Sequence, residues 1–337
     1  MRTLKMSTEV EVNTLDYKIS QQDQIITIGS CFAEVLGEQL DYFKFDVCSN
    51  PFGTVFNPLT ISKLLDMAMQ DDCPDSALYT QNSDGIYFHH DFHSSFWGTS
   101  QKELDHKLSS RLKTVKFFLQ SAKVLVITLG SAYAYRHRGT NQIVGNCHKV
   151  PVDQFVKELL HQDQILISLQ QLIYKLQIFN RNLKIVFTVS PVRHTKDTLI
   201  LNQVSKSTLR LVSHRLEEKY KHISYFPAYE IVIDELRDYR FYEKDLIHPN
   251  KLATDHIFQV FAKIYLDKSF EAFEKEWTSI LQMIHHRPMY GLTPSYKNLL
   301  RTIEKKLLAI ADSVQVSTEL EEIRKRIALF PDFKQTH

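Results

Sequence analysis

The sequence predicts an α/β fold in which a parallel sheet is covered by helices on both faces, and two observations lead to this expectation. Short apolar runs rich in Val, Ile, Phe or Thr have the composition of buried strands. Longer segments with helical spacing lie between these runs. Strands that alternate with helices are typical of a parallel sheet buried on both sides, and ligands of such folds bind beyond the carboxyl ends of the strands.

Five of the apolar runs are predicted as strands. Most of them are followed by Gly, Ser, Asn or Pro, residues that commonly end a strand. In chain order the runs are 24–28 (QIITI), 43–48 (FKFDVC), 124–129 (VLVITL), 184–189 (KIVFTV) and 222–226 (HISYF). The helices predicted between them are 31–41, 59–70, 101–120, 152–180 and 204–220.

Two segments depart from this alternation. Residues 71–100 carry two glycines, many aromatic side chains and a cluster of histidines, and we predict an irregular insertion near the strand ends. After His248 the chain is mostly helical, through 251–285 and 299–326. We therefore expect an α/β domain over residues 1–285 that includes the insertion, and a helical C-terminal extension over residues 286–337 that packs on it.

The composition argues against several classes of protein. The chain has 337 residues, of which 43% are hydrophobic, and its formal net charge of +2 gives no reason to expect a nucleic-acid partner. No run approaches the roughly 18 apolar residues of a membrane helix, and the N-terminus lacks the apolar region of a secretory signal. The four cysteines are widely spaced and form no CxxC pair, so we expect free thiols and a cytoplasmic location.

The first strand leads directly into a candidate nucleophile. Gly29 ends the strand, Ser30 and Cys31 follow, and a helix begins at once. A hydroxyl or thiol on such a strand-to-helix turn lies at a helix N-terminus, which stabilises developing negative charge. The alternative is structural: Ser30 caps the helix and Cys31 is a small buried residue.

A candidate base lies far away along the chain, in the segment DLIHPN. Asp245 stands three residues before His248, a spacing that can place both on one turn. The carboxylate would then orient the imidazole and leave the second ring nitrogen as a general base. The alternative is an ordinary pair at the protein surface.

At this point the sequence resembles the GSCFA family, whose name is written in the chain as residues 29–33. Further stretches that look like family signatures are NPFGTVFNP (50–58), DFHSSF (91–96), TVSPVRH (188–194), SKSTLR (205–210), YFPAYEI (225–231), DELRDYRFY (234–242) and DLIHPN (245–250). That family is similar to the SGNH (GDSL-like) hydrolases. The resemblance implies a three-layer α/β/α, flavodoxin-like fold with a five-stranded parallel sheet, and hydrolysis or transfer of acyl esters, often on carbohydrates, without a metal.

The resemblance also implies roles for particular residues. His248 and Asp245 would be the base and its orienting carboxylate, and the backbone N–H of Gly53 would belong to the oxyanion hole. The GDSL motif laid without a gap on Gly29-Ser30-Cys31-Phe32 puts the nucleophile at Cys31, whereas a shift of one residue puts it at Ser30. Either is chemically feasible, and Ser30 is slightly preferred.

Other residues at the strand ends have less defined roles. The superfamily places an Asn after the third strand, but this chain has Gly130-Ser131-Ala132 there, and Asn146 could supply that donor or simply belong to a turn. We expect His93, Arg193 and His194 to contact substrate. His89, His90, Asp91 and His93 lack the spacing of common metal sites, and no metal or cofactor is expected.

The sequence therefore predicts an SGNH-type esterase or acyltransferase that forms an acyl-enzyme on Ser30 or Cys31. Its partner would be a small-molecule or carbohydrate acyl ester, with no nucleic acid and no membrane, and the oligomeric state is left open. Two alternatives remain. One is a ligand-binding module on the same fold that has no catalytic activity. The other is a metal-dependent hydrolase built on the histidine cluster.

Overall fold

Five parallel strands form the central sheet of the computed structural model, which describes residues 8–12 and 17–330. In chain order the described strands are β1 (Ile25–Gly29), β2 (Val47–Ser49), β3 (Tyr79–Gln81), β4 (Tyr87–His89), β5 (Val124–Leu129), β6 (Tyr133–His137), β7 (Gln142–Val144), β8 (Phe155–Leu159), β9 (Lys184–Val189) and β10 (Ile223–Phe226). The central sheet has the order β2-β1-β5-β9-β10, and all its neighbours run parallel. All five predicted strands of the sheet are confirmed, although β2 is shorter than expected.

Helices cover both faces of this sheet. They are α1 (Cys31–Tyr42), α2 (Pro58–Gln70), α3 (Gln101–Ser121), α4 (Gln162–Phe179), α5 (Thr198–Lys219), the short turn α6 (Ala228–Glu230), α7 (Lys251–Tyr265), α8 (Ser269–Ile284), α9 (Pro294–Ile310) and α10 (Ser317–Ala328). Alternate residues of a strand point to opposite faces, and the core divides accordingly. One apolar cluster joins Ile26 of β1 to helices α2–α5, and a second joins Ile25 to α1 and α7–α10.

The strand order places a topological switch point between β1 and β5. The chain leaves β1 towards one face of the sheet and leaves β5 towards the other, which opens a crevice at the carboxyl ends of these strands. The carboxyl ends of β1 and β5 lie side by side, because Gly29 of β1 is paired with Thr128 of β5. The predicted three-layer fold is confirmed, and it puts the strand-end residues on one edge.

One predicted element is wrong in its first part. Residues 152–161 do not belong to the helix predicted over 152–180, because the chain makes a 3-10 turn and then strand β8, and α4 begins only at Gln162. Strand β8 pairs antiparallel with β6, which also pairs with β7 in a small second sheet. Alternate residues of β8 are more buried, which is the pattern of a half-covered strand rather than a helix.

The insertion lies beside the carboxyl edge of the central sheet. Strands β3 and β4 form an antiparallel hairpin, and the backbone N–H of Gly145, after β7, donates to the carbonyl oxygen of His90 at 2.9 Å. The predicted irregular segment over 71–100 therefore contains a hairpin, and it packs against the loop that follows β7.

The beginning and the end of the α/β core are joined by backbone hydrogen bonds. The N–H of Ile19 donates to the carbonyl oxygen of Tyr265 at 2.7 Å, and the N–H of Asp267 donates to that of Ile19 at 3.0 Å. Ile19 and Leu266 form a parallel bridge. Helices α9 and α10 follow, and their buried side chains belong to the same apolar cluster as Leu36 of α1.

Within the described ranges, none of the helices combines the length and apolar character that crossing a membrane requires.

Candidate active site

The turn between β1 and α1 gives Ser30 and Cys31 different surroundings. Ser30 is completely buried, and its hydroxyl oxygen accepts a hydrogen bond from the N–H of Phe32 at 3.4 Å, so it caps helix α1. Its own N–H donates to the carbonyl oxygen of Thr128 on β5 at 3.1 Å. Cys31 is the first residue of the helix, is partly exposed and is a free thiol. Of the two, Cys31 has the side chain that a substrate can reach.

Several opposing effects act on the Cys31 thiol. Burial raises its pKa, because a thiolate loses hydration there. The positive charge of Lys206 acts in the opposite direction, as do the backbone N–H groups of Cys31 and Phe32 at the helix N-terminus. Glu34 adds a smaller effect that raises the pKa. Burial outweighs the opposing effects, so the pKa of the Cys31 thiol is raised overall, and the charge of Lys206 is the largest of the effects that lower it.

Asp245 and His248 form the expected pair. The imidazole Nδ1 lies 2.7 Å from Oδ2 of Asp245, and Oδ1 accepts hydrogen bonds from the N–H groups of Ile247 and His248 at 2.9 and 3.0 Å. The hydrogen bond from the imidazole, followed by these backbone N–H groups, lowers the pKa of Asp245 to about 2. A carboxylate on Nδ1 leaves Nε2 as the basic nitrogen of the neutral ring. Both side chains are about half exposed, so solvent reaches the pair.

Arg193 holds the loop that carries this pair. Its guanidinium donates to the carbonyl oxygen of Leu246 at 3.3 Å, and its backbone N–H donates to that of Ile247 at 3.3 Å. The guanidinium also lies 4.1 Å from the ring centre of Tyr242. The substrate role expected for Arg193 stays a prediction, because the contacts of this side chain in the structure are with the loop.

His194 follows β9, and its ring is near enough to Lys206 and His248 for their charges to act on it. Burial, followed by the positive charge of Lys206, lowers the pKa of His194 to about 4, and a backbone hydrogen bond with Gly130 acts in the opposite direction. Its ring packs edge-on against Phe56, with 5.2 Å between ring centres. The structure therefore brings the ends of β1 and β9 and the loop of His248 into one neighbourhood. Among the described residues, however, His248 makes its side-chain hydrogen bond with Asp245 and none with Ser30 or Cys31.

The oxyanion donor predicted at Gly53 is already in use. Its N–H donates to the carbonyl oxygen of Asn50 at 2.8 Å, and its φ is +67°. A Cβ at this position would lie 2.5 Å from Cβ of His93, so glycine is needed for the close packing of His93. The N–H groups of Gly130 and Ser131 are engaged as well, because both donate to the carbonyl oxygen of Phe56 at 3.0 Å.

The side chain of Asn146 is hydrogen-bonded to the insertion. Its side-chain amide donates to the hydroxyl of Ser94 at 3.3 Å, and its Oδ1 accepts from the N–H of His148 at 2.9 Å. His93 is also tied locally, since its Nδ1 accepts from the N–H of Ser95 at 3.2 Å. These contacts do not support an oxyanion role for Asn146, and the proposed role of His93 in binding substrate stays a prediction.

Sequence reasoning missed Asn50 as a possible oxyanion donor. Its Oδ1 accepts from the N–H of Gly29 at 3.0 Å, which places the amide beside the turn that carries Ser30 and Cys31. Its Nδ2 is buried and has no hydrogen-bond partner among the described residues. The signal in the sequence was its position as the first residue of the stretch NPFGTVFNP.

Lys206 of α5 was missed as well. The residue is 1% exposed, and its ammonium donates to the carbonyl oxygens of Gly130 at 2.9 Å and Ser190 at 2.7 Å. These carbonyls directly follow β5 and β9, so the ammonium bridges the ends of two neighbouring strands. Burial lowers the pKa of Lys206 to about 7, and the Cys31 thiolate opposes that shift. The stretch SKSTLR contains this lysine, but a sequence does not show that it is buried.

The histidine cluster of the insertion is structural. His89 is fully buried, its Nε2 donates to the carbonyl oxygen of Asp75 at 3.0 Å, and its Nδ1 accepts from the N–H of Asp91 at 3.2 Å. Asp91 is paired with Lys63 at 2.6 Å. In the part of the chain that the structure describes, no three His, Cys, Asp or Glu side chains are grouped so that they could hold a metal ion.

The insertion also forms a cleft of about 1100 Å³. The cleft is lined by residues of the hairpin β3–β4, by Ser94 and Trp97, and by residues 146, 148–151 and 154. Trp97 is 44% exposed, and the ammonium of Lys107 lies 4.8 Å from its ring centre. The cleft can bind a ligand through polar groups and an aromatic ring, but Cys31 and His248 are not among its lining residues.

Comparison with protein-family models gives two matches. The model described as GSCFA family matches residues 24–261, and the model described as GSCFA domain protein, C-terminal domain, matches residues 277–329. A search of curated proteins found no match. The first match includes β1 to β10, the turn with Cys31, and the loop of Asp245 and His248.

Proposed function

The chain belongs to the GSCFA family, and from this premise we propose that it is an esterase or acyltransferase that forms an acyl-enzyme on Cys31. One observation carries the proposal. A partly exposed thiol begins a helix at the switch point of a parallel sheet, and an imidazole oriented by a carboxylate lies on a loop held to the same edge. The resemblance to SGNH hydrolases supports acyl esters, including those of carbohydrates, as the substrate class.

The reaction would proceed in two halves. The Cys31 thiol loses its proton to Nε2 of His248, and the sulfur attacks the acyl carbon to give a tetrahedral oxyanion. The C–O bond of the ester then breaks, and the imidazolium returns the proton to the departing alcohol. In the second half, water or an acceptor alcohol gives a proton to His248 and attacks the thioester, and the released thiolate regains the proton. The Asp245 carboxylate stabilises the imidazolium in both halves.

The negative oxygen needs hydrogen-bond donors. The amide Nδ2 of Asn50 has no hydrogen-bond partner among the residues that the structure describes and lies beside the turn before α1, and the helix N-terminus adds positive potential. We place the oxyanion between them. Gly53 instead holds its loop close to His93, consistent with the hydrogen bond that its N–H already makes.

Cys31 is favoured over Ser30 as the nucleophile because of their surroundings. The Ser30 side chain is fully buried and bound to the N–H of Phe32, so attack would require the cap of α1 to open. Cys31 needs no such change. The helix N-terminus favours a thiolate, but burial raises the pKa of the Cys31 thiol overall, so the proposal needs His248 as the base that removes its proton.

Trapping the acyl-enzyme tests this proposal. Wild type and the variants Cys31→Ala, Ser30→Ala and His248→Ala are mixed with short-chain p-nitrophenyl esters, quenched in acid, and mapped by peptide mass spectrometry. We expect an acyl group on the peptide containing Cys31, absent in Cys31→Ala, present in Ser30→Ala, and formed about 10²–10⁴-fold more slowly in His248→Ala. If the acyl adduct were lost in Ser30→Ala and kept in Cys31→Ala, the nucleophile would be Ser30 and not Cys31.

A second candidate is a binding module without turnover, and the cleft of the insertion favours it. That cleft has an exposed Trp97 and many polar groups, which suit a carbohydrate. Saturable binding of an acylated glycan that weakens in Trp97→Ala, with no acyl adduct on any variant, would favour this function over the enzymatic one.

A further inference from the structure

Trp97 lines the cleft of the insertion on a backbone segment that two elements hold in place. The N–H of Tyr87 on β4 donates to the carbonyl oxygen of Gly98 at 2.8 Å, and the N–H of Gly98 donates back to Tyr87 at 3.1 Å. From α3, the ammonium of Lys107 donates to the carbonyl oxygen of Trp97 at 3.0 Å. Trp97 is nonetheless 44% exposed, so its indole is an accessible ring on a fixed backbone.

The two faces of this indole differ. The ammonium of Lys107 lies 4.8 Å from the ring centre, which is the geometry of a cation–π contact. Trp97 lines the cleft, whereas Lys107 does not. The cation therefore covers one face of the ring and leaves the other face for a ligand in the cleft. The face of an aromatic ring is electron-rich, and it attracts groups with partial positive charge such as the C–H groups of a sugar ring.

The remainder of the cleft is lined mostly by polar groups without charge. Exposed amide and hydroxyl side chains in the lining are Gln81, Asn82, Ser83, Ser94 and Gln154. The lining has one carboxylate, Asp84, and one ammonium, Lys149. Burial lowers the pKa of His148 to about 4, so that ring is neutral at pH 7. Amides and hydroxyls both donate and accept hydrogen bonds, and with no net charge around them they suit a neutral ligand rich in hydroxyl groups.

The backbone that carries part of this lining is strained. His148 has a φ of +49° and Lys149 a φ of +61°, values that residues other than glycine rarely adopt. The N–H of His148 donates to Oδ1 of Asn146 at 2.9 Å, and its ring stacks on Phe88 of β4 with 4.9 Å between ring centres. Such strain persists only where the surroundings fix it, and it is common at ligand sites. This part of the lining is thus shaped before a ligand binds, which lowers the entropic cost of binding.

The cleft and the turn with the proposed nucleophile contact the same loop, the one that follows β2. Ser94 lines the cleft, and the N–H of its neighbour His93 donates to the carbonyl oxygen of Phe52 in that loop at 3.4 Å. The N–H of Val55, also in the loop, donates to the carbonyl oxygen of Gly29 at 2.7 Å. The cleft is therefore joined to the catalytic edge through one short segment of backbone.

We propose that the cleft of the insertion is a subsite for a neutral oligosaccharide, in which one sugar ring stacks on the free face of Trp97. Neighbouring sugars bond to the amides and hydroxyls of the lining. A volume of about 1100 Å³ exceeds that of most small-molecule pockets, which suits several linked sugars better than one. The subsite holds a part of the substrate remote from the ester, and this second claim rests on the proposed function. Unlike the binding module described above, it combines sugar binding with turnover.

Tryptophan fluorescence tests sugar binding directly. The chain has two tryptophans, and the second, Trp277, is 1% exposed. Cellohexaose, xylohexaose and chitohexaose are the neutral probes, and hexagalacturonate is the anionic comparison. We expect at least one neutral probe to change the emission of wild type saturably and to protect it from quenching by acrylamide. Trp97→Phe should show neither change, because Trp277 is out of reach of both sugar and quencher.

Calorimetry measures the affinity of the same probe for variants that circular dichroism shows to be folded. Trp97→Ala should lower the affinity at least about tenfold, which corresponds to about 1.4 kcal/mol. The matched control is Tyr174→Ala, which removes an exposed aromatic ring from α4 outside the cleft and should leave the affinity unchanged.

Three results would overturn the proposal. They are no saturable binding of any neutral probe to wild type, tighter binding of hexagalacturonate than of all three neutral probes, and an unchanged affinity in folded Trp97→Ala. The first two are measured on wild type, so the proposal can fail even if Trp97→Ala does not fold.

Turnover tests the second claim separately. Substrates are p-nitrophenyl acetate and the O-acetylated form of the neutral probe that binds most tightly. In Trp97→Ala we expect the KM for the acetylated oligosaccharide to rise at least about tenfold, and the KM for the small ester to change less. Equal changes in both would contradict the claim that one substrate occupies the cleft and the catalytic edge.

The outcomes also separate this proposal from the proposed function. Sugar binding that depends on Trp97, without any acyl adduct on Cys31, would support the sugar site and contradict the esterase or acyltransferase. An acyl adduct that depends on His248, with no binding of the neutral probes, would contradict the sugar site alone.

Discussion

Ser30 shows how one residue at a strand end can be structural while its neighbour is reactive. Its hydroxyl accepts from the N–H of Phe32, and its own N–H is paired with Thr128 on the next strand. These bonds hold the first turn of α1 at a fixed distance from β5. Cys31 is the next residue, so it is held at the same place beside β5, but it takes no part in these hydrogen bonds.

Replacing Ser30 with Ala should therefore weaken the fold but keep the chemistry. Loss of an N-cap typically lowers the free energy of unfolding by about 0.5–2 kcal/mol. Urea unfolding measures this change, and the trapped acyl group on Cys31 measures the chemistry. Ser100→Ala is the matched control, because Ser100 caps α3 by accepting from the N–H of Glu103 at 3.2 Å.

The two variants should lose similar stability, and both should acylate at a rate close to that of wild type. A large loss of acylation in Ser30→Ala alone, at unchanged stability, would mean that the Ser30 hydroxyl takes part in the reaction.

At the scale of the elements, the insertion is held by histidines that are neutral in the folded protein. Burial lowers the pKa of His89 to about 3 and that of His148 to about 4, from an ordinary value of 6.5. Nε2 of His148 bonds the carbonyl oxygen of His89 at 2.9 Å, which ties the hairpin β3–β4 to the loop after β7. Protonation of either ring would place a charge inside this packing.

Acid should therefore destabilise the protein in a defined pH range. Above pH 6.5 both the folded and the unfolded chain carry a neutral His89, and its contribution to stability is fully present. As the pH falls from 6.5 towards 3, the unfolded chain binds a proton that the folded chain does not. Each such histidine then lowers the free energy of unfolding by about 1.4 kcal/mol per pH unit.

Urea unfolding of wild type between pH 7 and pH 5 should show this slope. We expect His89→Gln to reduce the slope by the equivalent of one proton, and His106→Gln, at an exposed position of α3, to leave it unchanged. If stability changed with pH equally in wild type and His89→Gln, the pKa of His89 would be the same in the folded and the unfolded chain.

The part of the fold that could be predicted is the part with strong patterns. The strands of the central sheet are continuous apolar runs, and such runs are typical of strands that are buried on both faces of a parallel sheet. The first part of the predicted helix 152–180 was wrong because β8 is short and half covered, and its pairing partner β6 is distant in sequence. Five residues are too few for the alternation along β8 to be distinguished from helical spacing in the sequence.

The candidate site was predictable only where its residues are close in sequence. Asp245 and His248 are three residues apart, and the hydrogen bond between them follows from that spacing. Lys206 matters because it is buried near Cys31, and Asn50 because it is buried beside Gly29. The burial of these two residues depends on the packing of α5 and of the end of β2. Neither residue type predicts burial, because most lysines and asparagines are exposed.

At the scale of the whole molecule, the C-terminal helices share the core of the α/β domain. Leu300, Ile303 and Leu307 of α9 are fully buried, and they belong to the apolar cluster that includes Ile25 of β1. A cluster that spans both regions should make them unfold together.

Ile303→Ala should therefore destabilise the entire chain. Loss of a buried isoleucine side chain typically costs about 2–5 kcal/mol, and calorimetry should show one transition that moves to lower temperature. Leu308→Ala, which removes a half-exposed side chain from the same helix, is the control. Two transitions, with only one moved by Ile303→Ala, would instead indicate a C-terminal region that unfolds separately.

The backbone bridge between Ile19 and Leu266 has a consequence for how the protein is made. A ribosome synthesises Ile19 well before Leu266, so the bridge closes only after the residues between them have been synthesised. The thiol of Cys31 likewise emerges long before Lys206 and His248. We therefore expect the nascent chain to carry an unassembled site until His248 has been synthesised, and the long-range pairing to make its final folding slow.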